Sequence, residues 1–267
     1  MLKVVDLSLT SGASVLLDKV SFSISPGEAV GLVGASGSGK SLTCRAIMGL
    51  LPDSLQNRLT GSIKFDDQEL VGLPFRAWLA LRGRAISYVF QDPLAYLHPL
   101  YKVGWQIVEA LRLHQSLSKK QAYLRALDLV TAVGLKDPLE KLKVYPHELS
   151  GGQRQRVMIA MALANGPRLF IADEPTTALD TLTQHRILKL LGDLMKENPK
   201  MSILLVSHDL GVVATLCTRL LVMQGGKIVE RGPVKDICRH PEHPYTKSLL
   251  AAVPSWGPRS SLEVHAQ

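Results

Sequence analysis

One stretch of the sequence has the residue types and spacing needed to bind phosphate. "GASGSGKS", at residues 34–41, matches the pattern G-x-x-x-x-G-K-[S/T] in full. The glycines allow the backbone to wrap closely, so that several N–H groups point at one phosphate, while Lys40 adds a positive charge. The Ser41 hydroxyl is a ligand for Mg²⁺, and the helix predicted to begin there directs its positive end at the phosphates. The residues of this predicted site are Gly34, Ala35, Ser36, Gly37, Ser38, Gly39, Lys40 and Ser41.

Two adjacent carboxylates end a second apolar stretch. "RLFIADEP" reads as a buried strand that finishes at Asp173 and Glu174. Because neighbouring residues of a strand point to opposite faces, we expect these two acids to have different roles. Asp173 is expected to face Mg²⁺ through water, and Glu174 to act on an attacking water as general base or orienting group. Taken alone, the pair is equally typical of an acidic turn.

Three further polar residues stand where apolar stretches end or helices begin. Gln91, in "YVFQDP", has an amide that can contact Mg²⁺ and water without adding charge. His208, in "LVSHD", can donate a hydrogen bond to a γ-phosphate and hold the water close to Glu174. Asp180, in "TTALD", is typical of a helix cap. Each is ordinary on its own, and only their order along the chain gives them weight.

A second glycine-rich helix start is less easily explained. "ELSGGQRQR", at residues 148–156, places Gly151 and Gly152 side by side in front of an apolar helical pattern. Adjacent glycines begin a helix at a cost in backbone entropy. They do allow the backbone N–H groups of a helix that starts near Ser150 to approach a phosphate closely.

The elements that must position these residues alternate between strands and helices. "AVGLVG" reads as a buried strand directly before the phosphate loop, and "SILLVS" as another directly before His208. This alternation predicts a largely parallel α/β sheet. From about residue 92 to 166 the pattern is helical instead, with Ser118 and Gln121 in the spacing of a capping box. We interpret this block as an inserted helical lobe.

Composition limits the remaining possibilities. The 267 residues fit one large domain or a domain with a subdomain, and no apolar run is long enough to span a membrane. The start of the sequence lacks the pattern of a secretory signal. Three widely spaced cysteines (Cys44, Cys217, Cys238) fit a reducing cytosol and argue against a disulfide framework or a zinc site. The net charge of +8 is spread along the chain, which favours a solvated surface over a nucleic-acid patch.

Taken in order, the motifs "GASGSGKS", "VFQDP", "LSGGQ", "LFIADEP", "TTALD" and "LVSHD" resemble the nucleotide-binding subunit of ABC transporters. The resemblance covers residues from about 4 to 232 and implies a P-loop NTPase core with a mostly parallel sheet, an N-terminal antiparallel β subdomain and an inserted α-helical subdomain. It implies one ABC ATPase domain over 1–267, with the core at about 1–91 and 166–235, the helical subdomain at about 92–165 and a tail at about 236–267.

The resemblance also assigns roles residue by residue. Residues 34–41 match the Walker A loop that binds ATP, Gln91 the Q-loop glutamine, and Asp173 the Walker B aspartate. Ser41, Gln91 and Asp173 are therefore expected to hold Mg²⁺, with Glu174 and His208 as the catalytic glutamate and switch histidine. Asp180 matches the D-loop. The signature residues, which would contact ATP bound to a partner chain, are Ser150, Gly151, Gly152 and Gln153.

The segment "HPEHPYTKSLLAAVPS", at 240–255, resembles the end of the ATPase subunits of bacterial peptide and nickel importers, and "GSGKSLTC" favours the nickel or metal-chelate members. This implies an ATPase that powers import at the cytoplasmic face of the inner membrane. The implied partners are a second, related but distinct ATPase subunit, two permease subunits and an external solute-binding protein. No nucleic acid is expected.

Two departures from the family pattern and two alternatives accompany this interpretation. Ser11 stands where many members place an aromatic residue against adenine, so base stacking must be weaker or come from elsewhere. Some relatives carry a cysteine-rich tail that holds an iron–sulfur cluster; this sequence ends without cysteine, so no cluster is expected.

One alternative is an ATP-driven clamp on nucleic acid, which the single ATPase unit and the lack of long heptads disfavour. The other, a catalytically silent regulatory half, is disfavoured by the intact Glu174 and His208.

Overall fold

A computed structural model describes residues 1–90, 92, 96–175 and 179–252. Its N-terminal part forms a four-stranded antiparallel sheet in the order β2-β1-β4-β5. The strands are β1 (Leu2–Ser11), β2 (Ser14–Ile24), β4 (Leu59–Phe65) and β5 (Gln68–Glu69). One face of β1 is buried and the other carries polar and exposed residues, as expected of a sheet with one solvated side. The predicted antiparallel β subdomain is confirmed.

A second sheet of six strands has the order β10-β9-β3-β8-β7-β6. The pairs from β9 to β6 are parallel, and only β10 runs antiparallel to its neighbour β9. The predicted, largely parallel sheet is therefore confirmed. Its strands are β3 (Ala29–Val33), β6 (Ile86–Val89), β7 (Leu169–Asp173), β8 (Ser202–Ser207), β9 (Arg219–Gln224) and β10 (Lys227–Pro233).

The inner strands of this sheet are buried on both faces, since every residue of β3, β7 and β8 is buried. Successive side chains enter two different apolar cores. Phe170 and Ala172 of β7 join the core that includes the helical block, whereas Leu169 and Ile171 join the core shared with the N-terminal sheet. By the same alternation, Asp173 continues the second set. That is the side on which the first helix after β3 contributes Cys44 to the core.

The helical block packs as a lobe between β6 and β7. Its helices are α4 (Val103–His114), α5 (Lys119–Ala132), α6 (Pro138–Lys141) and α7 (Gly151–Leu163), with a 3-10 turn at Pro146–Glu148 before α7. On α4, the apolar residues at helical spacing are buried. Ser118 and Gln121 form the capping box that their spacing predicts at the start of α5.

The other helices connect or flank the strands. They are α1 (Lys40–Ile47), α2 (Asp53–Gln56), α3 (Phe75–Leu81), α8 (Thr181–Glu197), α9 (Leu210–Leu216), α10 (Val234–Arg239) and α11 (Pro244–Ala251). Because α1, α8 and α9 each follow a parallel strand, the loops before them meet at one edge of the sheet. Across the described ranges, none of the helices has the length and apolar character required to cross a bilayer.

Candidate active site

The predicted site residues gather at the carboxyl edge of the six-stranded sheet. β3, β8 and β7 are neighbours, so the ends of these strands lie next to one another, with Val33 paired to Ser207 and Asp173 paired to Val206. The phosphate loop leaves β3 at this edge, and His208 follows β8 there. The backbone N–H of Glu174 donates to the carbonyl of Val206, at 3.0 Å. Crevices at this edge are where open α/β sheets bind ligands.

The phosphate loop takes a conformation that only glycine tolerates at certain positions. Gly37 has φ +77° and Gly39 has φ +106°. A Cβ atom on Gly39 would lie 2.8 Å from Cε of Met223 and 2.9 Å from Cδ2 of Leu17, so the ends of these two side chains would have to shift. Gly39 is also the N-cap of α1 and provides no side-chain cap. The first N–H groups of α1 are therefore not capped by a side chain at this position, which suits an anion.

Lys40 lies across this loop and is nearly buried, with 5% of its surface exposed. Its ammonium donates to the carbonyl oxygens of Gly34 (2.8 Å) and Ala35 (2.9 Å). Burial lowers the pKa of Lys40, and the carboxylates of Glu174 and Asp173 act in the opposite direction. The lysine is thus a positive charge held inside the loop by backbone oxygens, as the sequence pattern predicts for a phosphate-binding lysine.

Asp173 is 2% exposed and is bonded through both carboxylate oxygens. Ser41 Oγ donates to Oδ1 at 3.1 Å, and the Tyr88 hydroxyl donates to Oδ2 at 2.7 Å. The serine hydroxyl and the carboxylate therefore lie together beside the phosphate loop. This donor set fits Mg²⁺, which takes one or two protein oxygens and completes its shell with phosphate and water.

Magnesium ligands of this kind differ from an all-protein metal cage. In the ranges that the structure describes, no group of three or more His, Cys, Asp or Glu side chains could hold a metal ion. A hydroxyl and one carboxylate next to a phosphate-binding loop do not need such a group. Gln91, the third predicted magnesium ligand, lies outside the described residues.

Tyr88 is a site residue that the sequence reasoning missed. It lies on β6, which pairs in parallel with β7, and burial raises the pKa of its hydroxyl well above the ordinary value. The hydroxyl therefore remains a donor, and its bond to Asp173 fixes the orientation of the carboxylate. The available signal was a hydroxyl within "AISYVF", an otherwise mostly apolar stretch next to Gln91.

Glu174 and His208 form a pair at the open side of the site. The distance between Glu174 Oε2 and His208 Nδ1 is 3.2 Å, with 15% of the glutamate side chain and 60% of the histidine side chain exposed. Glu174 has φ +49°, a left-handed conformation that is uncommon outside glycine. This turn takes the side chain out of the strand direction. The structure thus brings together the two residues expected to act on the attacking water.

The remaining predicted residues begin helices other than α1, the helix that follows the phosphate loop. Ser150 caps α7 with its hydroxyl, and the Gln153 side chain returns to the Ser150 backbone to complete a capping box. Asp180 caps α8 by accepting from the N–H of Thr183 at 2.9 Å, which confirms its interpretation as a cap. Among the hydrogen bonds of the described residues, none joins residues 150–153 to residues 34–41. A single chain therefore presents two separate glycine-rich helix starts.

Fold and site together define a P-loop nucleotide-binding ATPase core with an inserted helical lobe. Residues 17–177 match the family "ABC transporter", and residues 229–267 match "Oligopeptide/dipeptide transporter, C-terminal region". The chain therefore belongs to the ABC transporter family.

Named relatives agree with this assignment. The chain is 51% identical over 265 residues to a peptidoglycan transport ATP-binding protein, YejF, of Agrobacterium fabrum; the match covers 98% of the chain but only 48% of that protein. It is 47% identical over 240 residues to the dipeptide transport ATP-binding protein DppD of Haemophilus influenzae, covering 90% of the chain and 72% of that protein. The chain thus spans about half of one relative and most of the other.

A solved structure of the same fold is also similar. The ATP-binding cassette MJ0796, described as a dimer in a post-hydrolysis state bound to ADP and Pi, has a TM-score of 0.79 and 29% identity. The match covers 88% of the chain and 99% of the cassette. Together these matches confirm the family, the fold and the ABC-type ATPase class predicted from the sequence, and they favour transport over a nucleic-acid clamp.

Proposed function

We propose that this chain hydrolyses ATP to power the import of peptides, as a peripheral subunit on the cytoplasmic face of the inner membrane. The observation that carries the ATPase proposal is the meeting of Lys40, the Ser41–Asp173 pair and the Glu174–His208 pair at one sheet edge. The match of residues 229–267 to the oligopeptide/dipeptide transporter region supports peptides as the substrate class.

In this proposal the phosphate loop and Asp173 bind and orient the nucleotide. Backbone N–H groups of the phosphate loop that are not already bonded within the chain, together with the Lys40 ammonium, contact the phosphates. Ser41 and Asp173 would hold Mg²⁺, together with Gln91 as the sequence predicts. When bound, Mg²⁺ neutralises charge on the phosphate oxygens. The bond from Tyr88 keeps the Asp173 carboxylate turned toward Ser41.

Glu174 and His208 act on the water in this mechanism. Glu174 accepts a hydrogen bond, and then a proton, from the water that attacks the γ-phosphorus, and ADP leaves as the bond to the bridging oxygen breaks. His208, 3.2 Å from the glutamate, holds that carboxylate in place and can donate to the γ-phosphate. The left-handed turn at Glu174 supports this role, because it places the carboxylate beside His208.

Glu174→Gln tests the chemical step. We expect nucleotide affinity to be retained and turnover to fall by about 10²- to 10⁴-fold, the usual contribution of a positioned acid or base. Turnover is measured by phosphate release, and a closed dimer is measured by gel filtration in the presence of ATP. The control is Glu197→Gln, an exposed glutamate at the end of α8. Unchanged turnover in Glu174→Gln would remove this residue from the chemistry.

We further propose that two such ATPase subunits close head-to-tail on two ATP molecules. Each ATP would lie between the phosphate loop of one chain and residues 150–153 of the other, with Asp180 near the boundary between the chains. Among the described residues, no hydrogen bond joins the two glycine-rich helix starts of one chain, which supports this arrangement. MJ0796 is described as dimeric with ADP and Pi bound. ATP binding then favours the closed state, and hydrolysis releases it.

A groove of about 320 Å³ between the core and the helical lobe is the proposed docking place for a permease. Met48 and Leu50 line one side of the groove, and Met158 and Met161 of α7 line the other. Tyr96, stacked on Phe90, lies at its edge next to the predicted Q-loop segment. Met48 and Met158 are buried, but the half-buried Met161 and the exposed ring of Tyr96 suit the apolar face of a short cytoplasmic helix.

Tyr96→Ala tests the docking groove. We expect the permeases to co-purify less well with this variant, while its affinity for nucleotide stays within about twofold, since surface changes have small effects on stability. The control is Leu113→Ala, which removes an exposed apolar side chain from α4 outside the groove. Equal co-purification of the two variants would argue against this groove as the docking place.

The substrate class is tested in the assembled system. The chain is purified with its permeases and second ATPase subunit, reconstituted in vesicles, and given the solute-binding protein with either a peptide mixture or a nickel chelate. We expect peptides to stimulate ATP hydrolysis. Stimulation by the nickel chelate alone would replace the peptide proposal with the metal-chelate one, which "GSGKSLTC" favours. Neither relative described above is named for nickel.

A further inference from the structure

The phosphate loop is hydrogen-bonded to two later segments of the chain, the turn between β9 and β10 and the start of α11. The Ala35 N–H donates to the Tyr245 hydroxyl at 2.6 Å, across 210 positions of sequence. The Gly226 N–H donates to the carbonyl of Ser38 at 2.9 Å. These two contacts involve Ala35 and Ser38, one before and one after Gly37. The loop backbone is therefore hydrogen-bonded on both sides of Gly37.

Ala35 is hydrogen-bonded both to Tyr245 and to the phosphate-binding lysine. Its N–H bonds to Tyr245, and its carbonyl accepts from the Lys40 ammonium at 2.9 Å. The side chain of Tyr245 is therefore connected to Lys40 through a single residue of the loop. Ala35 is exposed, so burial contributes little to its position, and its carbonyl also accepts the Ser38 N–H at 3.2 Å.

The position of Tyr245 is itself set by Glu230 on β10. The two carboxylate oxygens of Glu230 accept the N–H groups of Glu242 (2.9 Å) and His243 (3.0 Å), which form the turn before α11. Burial raises the pKa of Glu230, but its contacts with residues 242–246 together outweigh burial, and the net shift is downward. The group is therefore a carboxylate at neutral pH. Thr246 and Leu250 are buried, so α11 is docked on the core.

We propose that Tyr245 is a positioning residue for the phosphate loop, so that docking of α11 sets the affinity of the site for the phosphates of ATP. The proposal rests on the ATP site proposed above. The connection from Tyr245 to the nucleotide runs through Ala35 and Lys40, which belong to the phosphate-binding part of the site. Loss of the hydroxyl should therefore weaken binding and leave the chemical step unchanged.

Tyr245→Phe in the full chain tests this, because it keeps the ring and removes the hydroxyl. We expect the Kd for a fluorescent ATP analogue and the KM for ATP to rise by about threefold to tenfold, the range of one hydrogen bond, with kcat within about twofold. The control is Ser248→Ala, which removes a hydroxyl from the same helix that donates to the Tyr245 carbonyl and not to the phosphate loop. It should change neither constant.

Glu230→Gln gives a second, independent readout. If Glu230 acts by holding Tyr245, its effect on Kd should disappear in the background of Tyr245→Phe, because both changes then act through one contact. Effects that multiply in the double variant would overturn the proposal. So would a Tyr245→Phe protein with lower thermal stability and lower kcat but an unchanged KM, which indicates a structural role only.

Lys40→Ala, measured in parallel, separates failure of this inference from failure of the proposed ATP site. Retained binding of the ATP analogue by Lys40→Ala means that the proposed site is wrong, and the role of Tyr245 fails with it. Lost binding in Lys40→Ala with normal Kd and KM in Tyr245→Phe overturns the positioning role alone.

Discussion

The phosphate loop and the start of α7 are both glycine-rich helix beginnings, but they use glycine for different reasons. Gly39 has a positive φ that strains any other residue, and a Cβ there would also displace the ends of the Met223 and Leu17 side chains, so the chain itself favours glycine there. Gly151 is the first residue of α7, and a Cβ placed on it would meet nothing within 4 Å. Neither packing nor backbone conformation within the chain explains this second glycine.

Capping shows the same difference. Ser150 and Gln153 form a complete capping box, in which each side chain accepts a backbone N–H at the start of α7. By contrast, α1 begins at Gly39 without any side-chain cap. The helix start of the phosphate loop is thus left for a ligand. That of α7 is stable on its own and has an open glycine surface. This supports the proposal that its small residues serve a phosphate brought by another chain.

Lys40→Ala is expected to have the largest effect on the phosphate-loop side of this comparison. The change removes a buried charge, so affinity for nucleotide should fall by at least about 100-fold, as expected for one or two charge-assisted hydrogen bonds. Calorimetry with ATP and Mg²⁺ measures this. The control is Lys143→Ala, an exposed lysine of the helical lobe. Normal affinity in Lys40→Ala would argue against the assigned role of the loop.

This first prediction was available from sequence because the phosphate loop is local. The whole pattern lies within residues 34–41, and the buried strand before it is visible as an apolar run. The strand ends carrying Asp173 and His208 were predictable for the same reason, and so was the cap at Asp180. Short-range spacing and apolar periodicity determine all of these features.

The contacts that sequence could not predict are those between distant segments. Tyr88 and Asp173 are 85 positions apart, and Ala35 and Tyr245 are 210 apart. Each hydrogen bond exists because strand order or helix docking brings the two segments together, and neither pair has a spacing that a pattern could detect. The left-handed turn at Glu174 was likewise missed, since we extended the strand alternation to that residue.

Gly152→Asp is expected to abolish the function of the α7 helix start while leaving the phosphate loop able to bind nucleotide. Binding of nucleotide by the isolated chain should stay within about twofold, because surface substitutions away from a site have small effects. ATP hydrolysis by the assembled transporter should fall by about 100-fold, because a carboxylate would face the partner's phosphates. The control is Gly192→Asp, at a helical glycine of α8 without a positive φ, where an added Cβ makes only an ordinary contact with Leu216. Wild-type transport by Gly152→Asp would contradict the shared-site proposal.

Gly39→Ala tests whether the phosphate-loop glycine is required by the fold. Its positive φ and the contacts with Met223 and Leu17 should together lower the free energy of unfolding by about 2–4 kcal/mol. Chemical denaturation measures this quantity. Gly37→Ala is the matched variant, since it also has a positive φ but meets nothing within 4 Å. It should cost only about 1–2 kcal/mol. Equal costs would mean that packing contributes nothing at Gly39.

Gly151→Ala has the smallest expected effect on the stability of the chain. It is also the most direct test of whether glycine is needed for different reasons at the two helix starts. A helical glycine with open space around it should become more stable as alanine, by up to about 1 kcal/mol in the free energy of unfolding. The assembled transporter should nonetheless hydrolyse ATP more slowly, because the new methyl group holds the partner's phosphate away from the N–H groups of α7.

Gly192→Ala is the control for that last variant, since Gly192 lies within α8 and its added Cβ makes only an ordinary contact with Leu216. It should also gain stability, without loss of coupled hydrolysis. If Gly151→Ala instead destabilises the isolated chain, the chain itself requires glycine at both helix starts, and the difference between them disappears. If Gly151→Ala gains stability and keeps full hydrolysis, its small surface serves no partner phosphate. Only a Gly151→Ala variant that is more stable and hydrolyses ATP more slowly supports the proposal that Gly151 serves a phosphate bound to another chain.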